Sequence, residues 1–425
     1  MSMRILVDRG IDWVGAVPEN WQFKKGKYLF QQRSERGNTI ELQLLSPTQK
    51  FGCIPQSLYE ELTGANAIKL NEKTDLNLLK TIHRGDFCIS LRSFQGGFEY
   101  SDYEGVVSPA YQVFYPIHDN VYRGYYKYMF KDGAFIDKMN SFTLSLRDGK
   151  NIAFADFGNT LLPLPSVEEQ RAIADYLDKK TSEIDAAIKE AQELIEKYKA
   201  YKQSIITETV TKGLDPQIQM KDSGLSWIGN IPKSWRCLRG KYVLKYLQKL
   251  TKDDDGVITC FRDGEVTLRS NRREEGFTIS EKEIGYQGID IGDLVVHGMD
   301  GFAGAIGISD SRGKASPVLI VLDSEENKRY IMYFLRNLAY CEVFLGLATG
   351  IRVRSCDLRW NKLAETFIAL PSKAEQKRIV SFLDQKTSEI DKVISQKEKL
   401  IIQLQEYKKS IIFEYVTGKK EIPNG

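Results

Sequence analysis

Histidine, paired cysteines and long apolar runs are scarce in this sequence, and each scarcity closes off a class of function. Three histidines (His83, His118 and His297) and six cysteines (Cys53, Cys88, Cys237, Cys260, Cys341 and Cys356) stand in unrelated contexts with no C-x-x-C pair. No structural zinc site or other bound metal is therefore expected, and the thiols read as reduced, core-filling side chains. No stretch reaches the roughly 20 apolar residues that a bilayer helix needs. The longest apolar segments, such as Val318 to Leu322, have the length of a strand. The opening residues MSMRILVDRG hold no apolar signal core, so the expected location is the cytoplasm, with no membrane partner. Charge of one sign is also missing. The 60 basic and 57 acidic side chains leave a net charge of +3, which neither demands nor forbids a polyanionic partner.

Catalytic signatures are equally thin. There is no G-x-x-x-x-G-K-[ST] phosphate loop, no Asn/Asp-Pro-Pro-aromatic run of the amino-methyltransferase kind, and no Pro-Asp dipeptide to begin a common nuclease motif. Gly298, Gly301, Gly304 and Gly307 are spaced G-x-x-G-x-x-G rather than G-x-G-x-x-G, which reads as a turn-rich loop. The histidines lack carboxylates at a motif spacing and read as packed or surface side chains. The balance moves from catalysis towards recognition, and no cofactor is expected on this chain.

What the sequence does contain, it contains twice. The run D8-R-G-I-D-W13-V-G-A-V-P18-E-N-W21, followed by Gly26-Lys27-Tyr28, returns as D222-S-G-L-S-W227-I-G-N-I-P232-K-S-W235, followed by Gly240-Lys241-Tyr242. Four of the five tryptophans fall in these two copies; they read as anchors for the start of each globular region rather than as base-stacking platforms. Residues 164–213 match residues 370–419 at half of their fifty positions, centred on L-D-x-K-T-S-E-I-D at Leu177–Asp185 and Leu383–Asp391. Between these anchors the halves share only punctuation, such as Gly85-Asp86 with Gly292-Asp293 and Ser108-Pro109 with Ser316-Pro317.

The shared tails read as long helices. Ser166-x-x-Glu169 and Ser372-x-x-Glu375 are capping boxes, each preceded by proline. Glu169-Gln170 and Glu375-Gln376 accordingly read as capping or helix-interface residues. Leu177, Ile184, Ile188 and Leu194, and their counterparts Leu383, Ile390, Ile394 and Leu400, lie on an apolar stripe sustained over about five heptads. A helix of about 44 residues is about 66 Å long, and such rods need partners, the nearest being each other. The diverged regions instead show short runs rich in β-branched and aromatic residues, namely 87–91, 111–115, 293–297 and 318–322, with amphipathic helices expected over 124–140 and 327–345. The expected fold class is α+β: two mixed α/β domains (1–163 and 214–369) separated by two long antiparallel coiled-coil helices (164–213 and 370–425), with a pseudo-two-fold internal repeat.

This ordered, duplicated set of motifs resembles the specificity subunit of type I restriction-modification enzymes over essentially the whole chain. The resemblance implies that the globular regions are target-recognition domains and that the stripe residues just named belong to helices that bind modification (methyltransferase) subunits, expected in two copies. Restriction subunits would join through the modification subunits. S-adenosylmethionine, ATP and magnesium would then be handled by those partners, and double-stranded DNA would be read here, without catalysis. Because the two regions differ, each would read one half of a bipartite, asymmetric site. A related system whose partner fuses methyltransferase and nuclease, or a coiled-coil scaffold that does not bind DNA, are the competing readings.

Base contacts call for arginine, lysine, asparagine or glutamine on groove-facing loops. The candidates are Arg92, Gln95, Arg147, Lys150 and Asn151 in the first region, and Arg269, Asn271, Arg272, Arg273, Arg352 and Arg354 in the second. Lys24, Lys25 and Lys27 could touch phosphate, but the equivalent Gly240-Lys241 suggests a structural role shared by both halves.

Overall fold

The computed structural model describes residues 4–37, 42–65, 75–89, 97–142, 152–272, 283–346 and 358–423. The chain packs as two compact units, residues 1–191 with 399–425 and residues 192–398. The division does not follow the sequence segments, because the two long helices, Val167–Lys212 and Lys373–Val416, each bury their two ends in different cores.

Both helices start where the capping serines place them. Ser166 Oγ accepts from Glu169 N at 3.2 Å and Ser372 Oγ from Glu375 N at 3.3 Å. The reciprocal half of the box is diverted: the Glu169 carboxylate pairs with Arg4 and accepts from the Trp21 indole at 3.0 Å. Both helices end at glycines with left-handed backbones, Gly213 (φ +80°) and Gly418 (φ +71°). At Gly418 a Cβ would lie 2.5 Å from Pro18 and 2.8 Å from the Trp21 ring. Trp21 and Trp235 are buried and Trp227 is partly so, in keeping with their reading as anchors.

In the first unit, Gln22–Lys25 pairs with Leu161–Leu164 and so ties the start of the globular region to the start of the first long helix. A four-stranded antiparallel sheet runs in the order Phe30–Gln32, Gln112–Pro116, Phe87–Ile89, Phe98–Tyr100. Lys80–Ile82 pairs with Gly105–Val107, and Leu45–Thr48 with Gly52–Pro55. The core is aromatic: Phe30, Phe87, Phe98, Phe114, Phe130 and Phe157 pack at centroid distances of 4.8 to 6.1 Å.

The second unit repeats this plan strand for strand. Arg236–Arg239 pairs with Phe367–Leu370, and the four-stranded sheet runs Lys245–Leu247, Leu319–Asp323, Leu294–His297, Ile306–Ile308. Gln287–Ile289 pairs with Gly313–Ala315, and Ile258–Cys260 with Val266–Leu268. Here the core is mainly aliphatic, with Leu294, Val296, Ile306, Ile320 and Leu322. The retained glycine–aspartate pairs have one job in both units. Gly85 (φ +89°) and Gly292 (φ +85°) turn the chain, while Asp86 and Asp293 accept from the backbone N–H three residues earlier at 3.0 and 2.8 Å. The helix expected over 124–140 is broken into Arg123–Met129 and Gly133–Ser141, because Asp132 caps the second piece by accepting from Phe135 N at 3.0 Å. The helix expected over 327–345 is Lys328–Tyr340 plus a short turn, Val343–Gly346.

Within each unit the helical segments pack antiparallel. In the first unit Tyr176 meets Tyr415 at 4.5 Å between ring centroids, and Lys408 reaches Asp185 at 2.7 Å. In the second unit Lys202 reaches Asp391 at 2.6 Å. The last aspartate of L-D-x-K-T-S-E-I-D is thus an inter-helix partner in both copies. Leu177, Ile184, Leu383 and Ile390 are buried within their own units, Ile188, Leu194 and Ile394 are half-buried, and Leu400 is exposed. The stripe is therefore spent largely inside the chain.

Candidate nucleic-acid interface

In the second unit, the hairpin of Ile258–Cys260 and Val266–Leu268 continues into a 3-10 turn, Arg269–Asn271. This places three of the expected DNA-contact residues side by side. The Arg269 Nε donates to Thr259 Oγ1 at 3.0 Å, and the Asn271 amide donates to Thr267 Oγ1 at 2.9 Å. Arg272 is held by Asp263 at 2.6 Å and Glu265 at 3.0 Å, with its guanidinium 4.1 Å from the Phe261 ring centroid. Arg262 pairs with Asp300 at 2.8 Å. Of these, Arg262, Asp263, Arg269, Arg272 and Asp300 line, with His297, a cavity of about 640 Å³. His297 Nδ1 accepts from Met299 N and Asp300 N, and burial holds its pKa below the usual value. At neutral pH the ring is therefore an uncharged positioning element, and the arginines supply the positive charge. Guanidinium forks pre-oriented by carboxylates and hydroxyls suit guanine edges or phosphate oxygens.

Arg92, Gln95, Arg147, Lys150, Asn151, Arg273, Arg352 and Arg354 lie outside the described residues. In the first unit, Arg33 donates to Asp86 at 2.7 and 3.0 Å, and His83 bridges Glu35 at 3.0 Å and Glu104 at 2.6 Å. The hydrogen bond that His83 donates to Glu35, then that to Glu104, raises its pKa against the cost of burial. That cluster fixes the Gly85-Asp86 turn. Among the described residues no group of three or more His, Cys, Asp or Glu side chains could hold a metal ion, and no helix is long and apolar enough to cross a membrane. Gly304 (φ +91°) and Gly307, whose Cβ would lie 1.9 Å from Gly264 O, serve turns and close backbone packing.

One class of surface residue recurs in both copies without a packing role. In Gly-Lys-Tyr the glycine is structural: a Cβ on Gly26 would lie 2.7 Å from Phe157 O, and on Gly240 2.2 Å from Leu363 O. The tyrosines, however, stand in solvent, Tyr28 at 58% and Tyr242 at 73% exposure. Each carries a lysine ammonium over its ring, Lys27 at 5.5 Å and Lys241 at 5.6 Å. On the long helices, Tyr201 and Tyr407 occupy equivalent positions and are 56% and 52% exposed. Packing does not account for an exposed tyrosine kept in both copies. Retention between repeats combined with outward placement was the available signal.

Residues 18–197 match the model of the type I restriction modification DNA specificity domain. The chain also resembles a structure described as the basis of complex assembly and conformational transition of the type I R-M system, with a TM-score of 0.68, 15% identity, and coverage of 95% of this chain and 99% of that one. The crystal structure of the HsdS subunit from Thermoanaerobacter tengcongensis is similar at a TM-score of 0.52 and 15% identity, with 95% and 98% covered. At such identities the two structures speak for the fold.

Proposed function

We propose that this chain, whose residues 18–197 match the type I restriction modification DNA specificity domain, belongs to that family, that its two units read the two halves of one bipartite DNA site, and that its helices set the distance between them. The observation that carries this reading is the strand-for-strand repetition of one topology with different side chains. A feature kept in both copies serves something that both halves meet, and a feature that differs serves something that differs. The Arg262–Arg272 cluster has no counterpart of like chemistry on the equivalent hairpin, Leu45–Thr48 with Gly52–Pro55, and fits base reading. The exposed Tyr201 and Tyr407 fit a partner met twice, which supports two modification subunits bound in equivalent ways. Restriction subunits would join through those partners, and the partners would supply S-adenosylmethionine, ATP and magnesium chemistry. The chain itself is a recognition subunit without catalysis.

The competing reading, a coiled-coil scaffold that binds proteins only, differs in one measurable respect. Phosphate contacts release counterions, so the logarithm of the DNA association constant falls linearly with the logarithm of salt concentration. Fluorescence anisotropy of the full chain with its modification partner on duplex DNA, between 50 and about 200 mM salt, should give a steep negative slope. A flat line would favour the scaffold.

A further inference from the structure

In the L-D-x-K-T-S-E-I-D motif the first aspartate and the threonine meet the globular region of their own unit, where Asp178 also pairs with Lys127 at 3.3 Å and Asp384 with Arg329 at 2.7 Å. In the first unit, the Tyr128 hydroxyl donates to Asp178 Oδ1 at 2.5 Å and lies 3.1 Å from Thr181 Oγ1. In the second, the Tyr333 hydroxyl donates to Asp384 Oδ1 at 2.8 Å and lies 3.4 Å from Thr387 Oγ1. Tyr128, Tyr333, Thr181 and Thr387 are all buried. Each tyrosine sits on a helix of its globular region, Arg123–Met129 or Lys328–Tyr340. Each such helix is also held at its N-terminal end by the same long helix. Gln170 Oε1 accepts from Tyr122 N at 2.7 Å, and Gln376 Oε1 from Asn327 N at 2.9 Å. Both glutamines are buried and braced by Pro165 O and Pro371 O.

The two attachment points lie eight residues apart on the long helix, Gln170 to Asp178 and Gln376 to Asp384, or about 12 Å along its axis. One point would let the globular region pivot, whereas two fix its direction. We propose that Tyr128–Asp178–Thr181 and Tyr333–Asp384–Thr387 are orientation latches, with Tyr128 and Tyr333 as positioning residues that make DNA recognition strict about the distance between half-sites. This rests on the bipartite reading above. The half-site bases are read elsewhere, so loosening a latch leaves them unchanged and widens the range of spacers accepted. A hydrogen bond to a charged group contributes enough to hold one orientation over its neighbours by about tenfold or more.

The test uses the full chain in complex with its modification partner, carrying Tyr128→Phe and Tyr333→Phe singly and together. Methylation is measured on duplexes whose spacer is native, one base pair shorter or one base pair longer. The expected result is unchanged half-sites and a rise of about tenfold in off-spacer relative to native-spacer methylation in the double variant. Asp178→Asn, which keeps an acceptor for the tyrosine but loses the charge, should relax less than Asp178→Ala. A lowered melting temperature with an unaltered off-spacer ratio would overturn the latch and leave a merely structural contact. If the double variant does not assemble, the single variants and the Asp178 pair decide in the same way. A wild-type complex that methylates no bipartite site would instead overturn the reading beneath it.

Discussion

If the helices act as a ruler, lengthening both should move the half-sites apart by an amount that helix geometry fixes. The natural insertion points are between Ala191 and Gln192 and between Glu398 and Lys399, where the two compact units meet in sequence. There the Asp185–Lys408 and Lys202–Asp391 pairs each stay intact within one unit. Four residues add about 6 Å and turn the helix by about 40° beyond one full turn. One base pair of B-DNA adds about 3.4 Å and, at roughly 10.5 base pairs per turn, rotates by about 34°. Both quantities point to a spacer one or two base pairs longer. Mapping methylated bases by sequencing, in cells that carry the variant and its modification partner, reads the spacer directly. Unchanged half-sites with a longer spacer are expected. Methylation at the original spacer would refute the ruler. Insertion into one helix alone should offset the paired stripes and lower the melting temperature without giving a new, discrete spacer.

Two further outcomes follow from particular side chains. Tyr201→Ala should weaken one modification-subunit site and Tyr407→Ala the other, so mass photometry of the complex should lose one partner copy in each single variant and both in the double; full occupancy throughout would remove these residues from the interface. Glu99 is fully buried in the four-stranded sheet, Lys131 reaches its Oε2 at 2.6 Å, and its Oε1 has no hydrogen-bond partner among the described residues. Burial raises its pKa from 4.5 to about 7 against the pull of Lys131. Between these values the folded state holds a proton that the unfolded chain has released, so the contribution of Glu99 to stability is greatest below pH ~4.5 and declines as pH rises to about 7, by on the order of 3 kcal/mol. Glu99→Gln should flatten that part of the denaturation profile, and an undiminished slope would contradict the assignment.

The long helices were legible because their signals are local. Ser166 and Ser372 cap the first turn as their spacing required, and the apolar stripe is periodic over many turns. The division into two packed units was not legible, since it depends on which ends of two helices share a core. The repeat within the diverged regions was hidden for a different reason. Phe30, Phe87 and Phe114 fill the places that Leu244, Leu294 and Leu322 fill in the other unit, and strands of two to five residues carry too little pattern to align. Only positions with a specific backbone demand, such as Gly85-Asp86 and Gly292-Asp293, kept their identity. Of the DNA-contact candidates, Arg269, Asn271 and Arg272 do come together on one turn. The glutamate, aspartate and threonine oxygens that orient them lie too far off in sequence, or in too common a residue type, to have been read in advance.

The central claim is that each globular region owns one half of the DNA target. Exchanging residues 1–163, or residues 215–368, for the corresponding region of a chain with a different target, then mapping methylated adenines genome-wide, tests it most directly. The account predicts that each exchange replaces one half of the bipartite motif and leaves the other half and the spacer unaltered. A motif that survives both exchanges unchanged would contradict it.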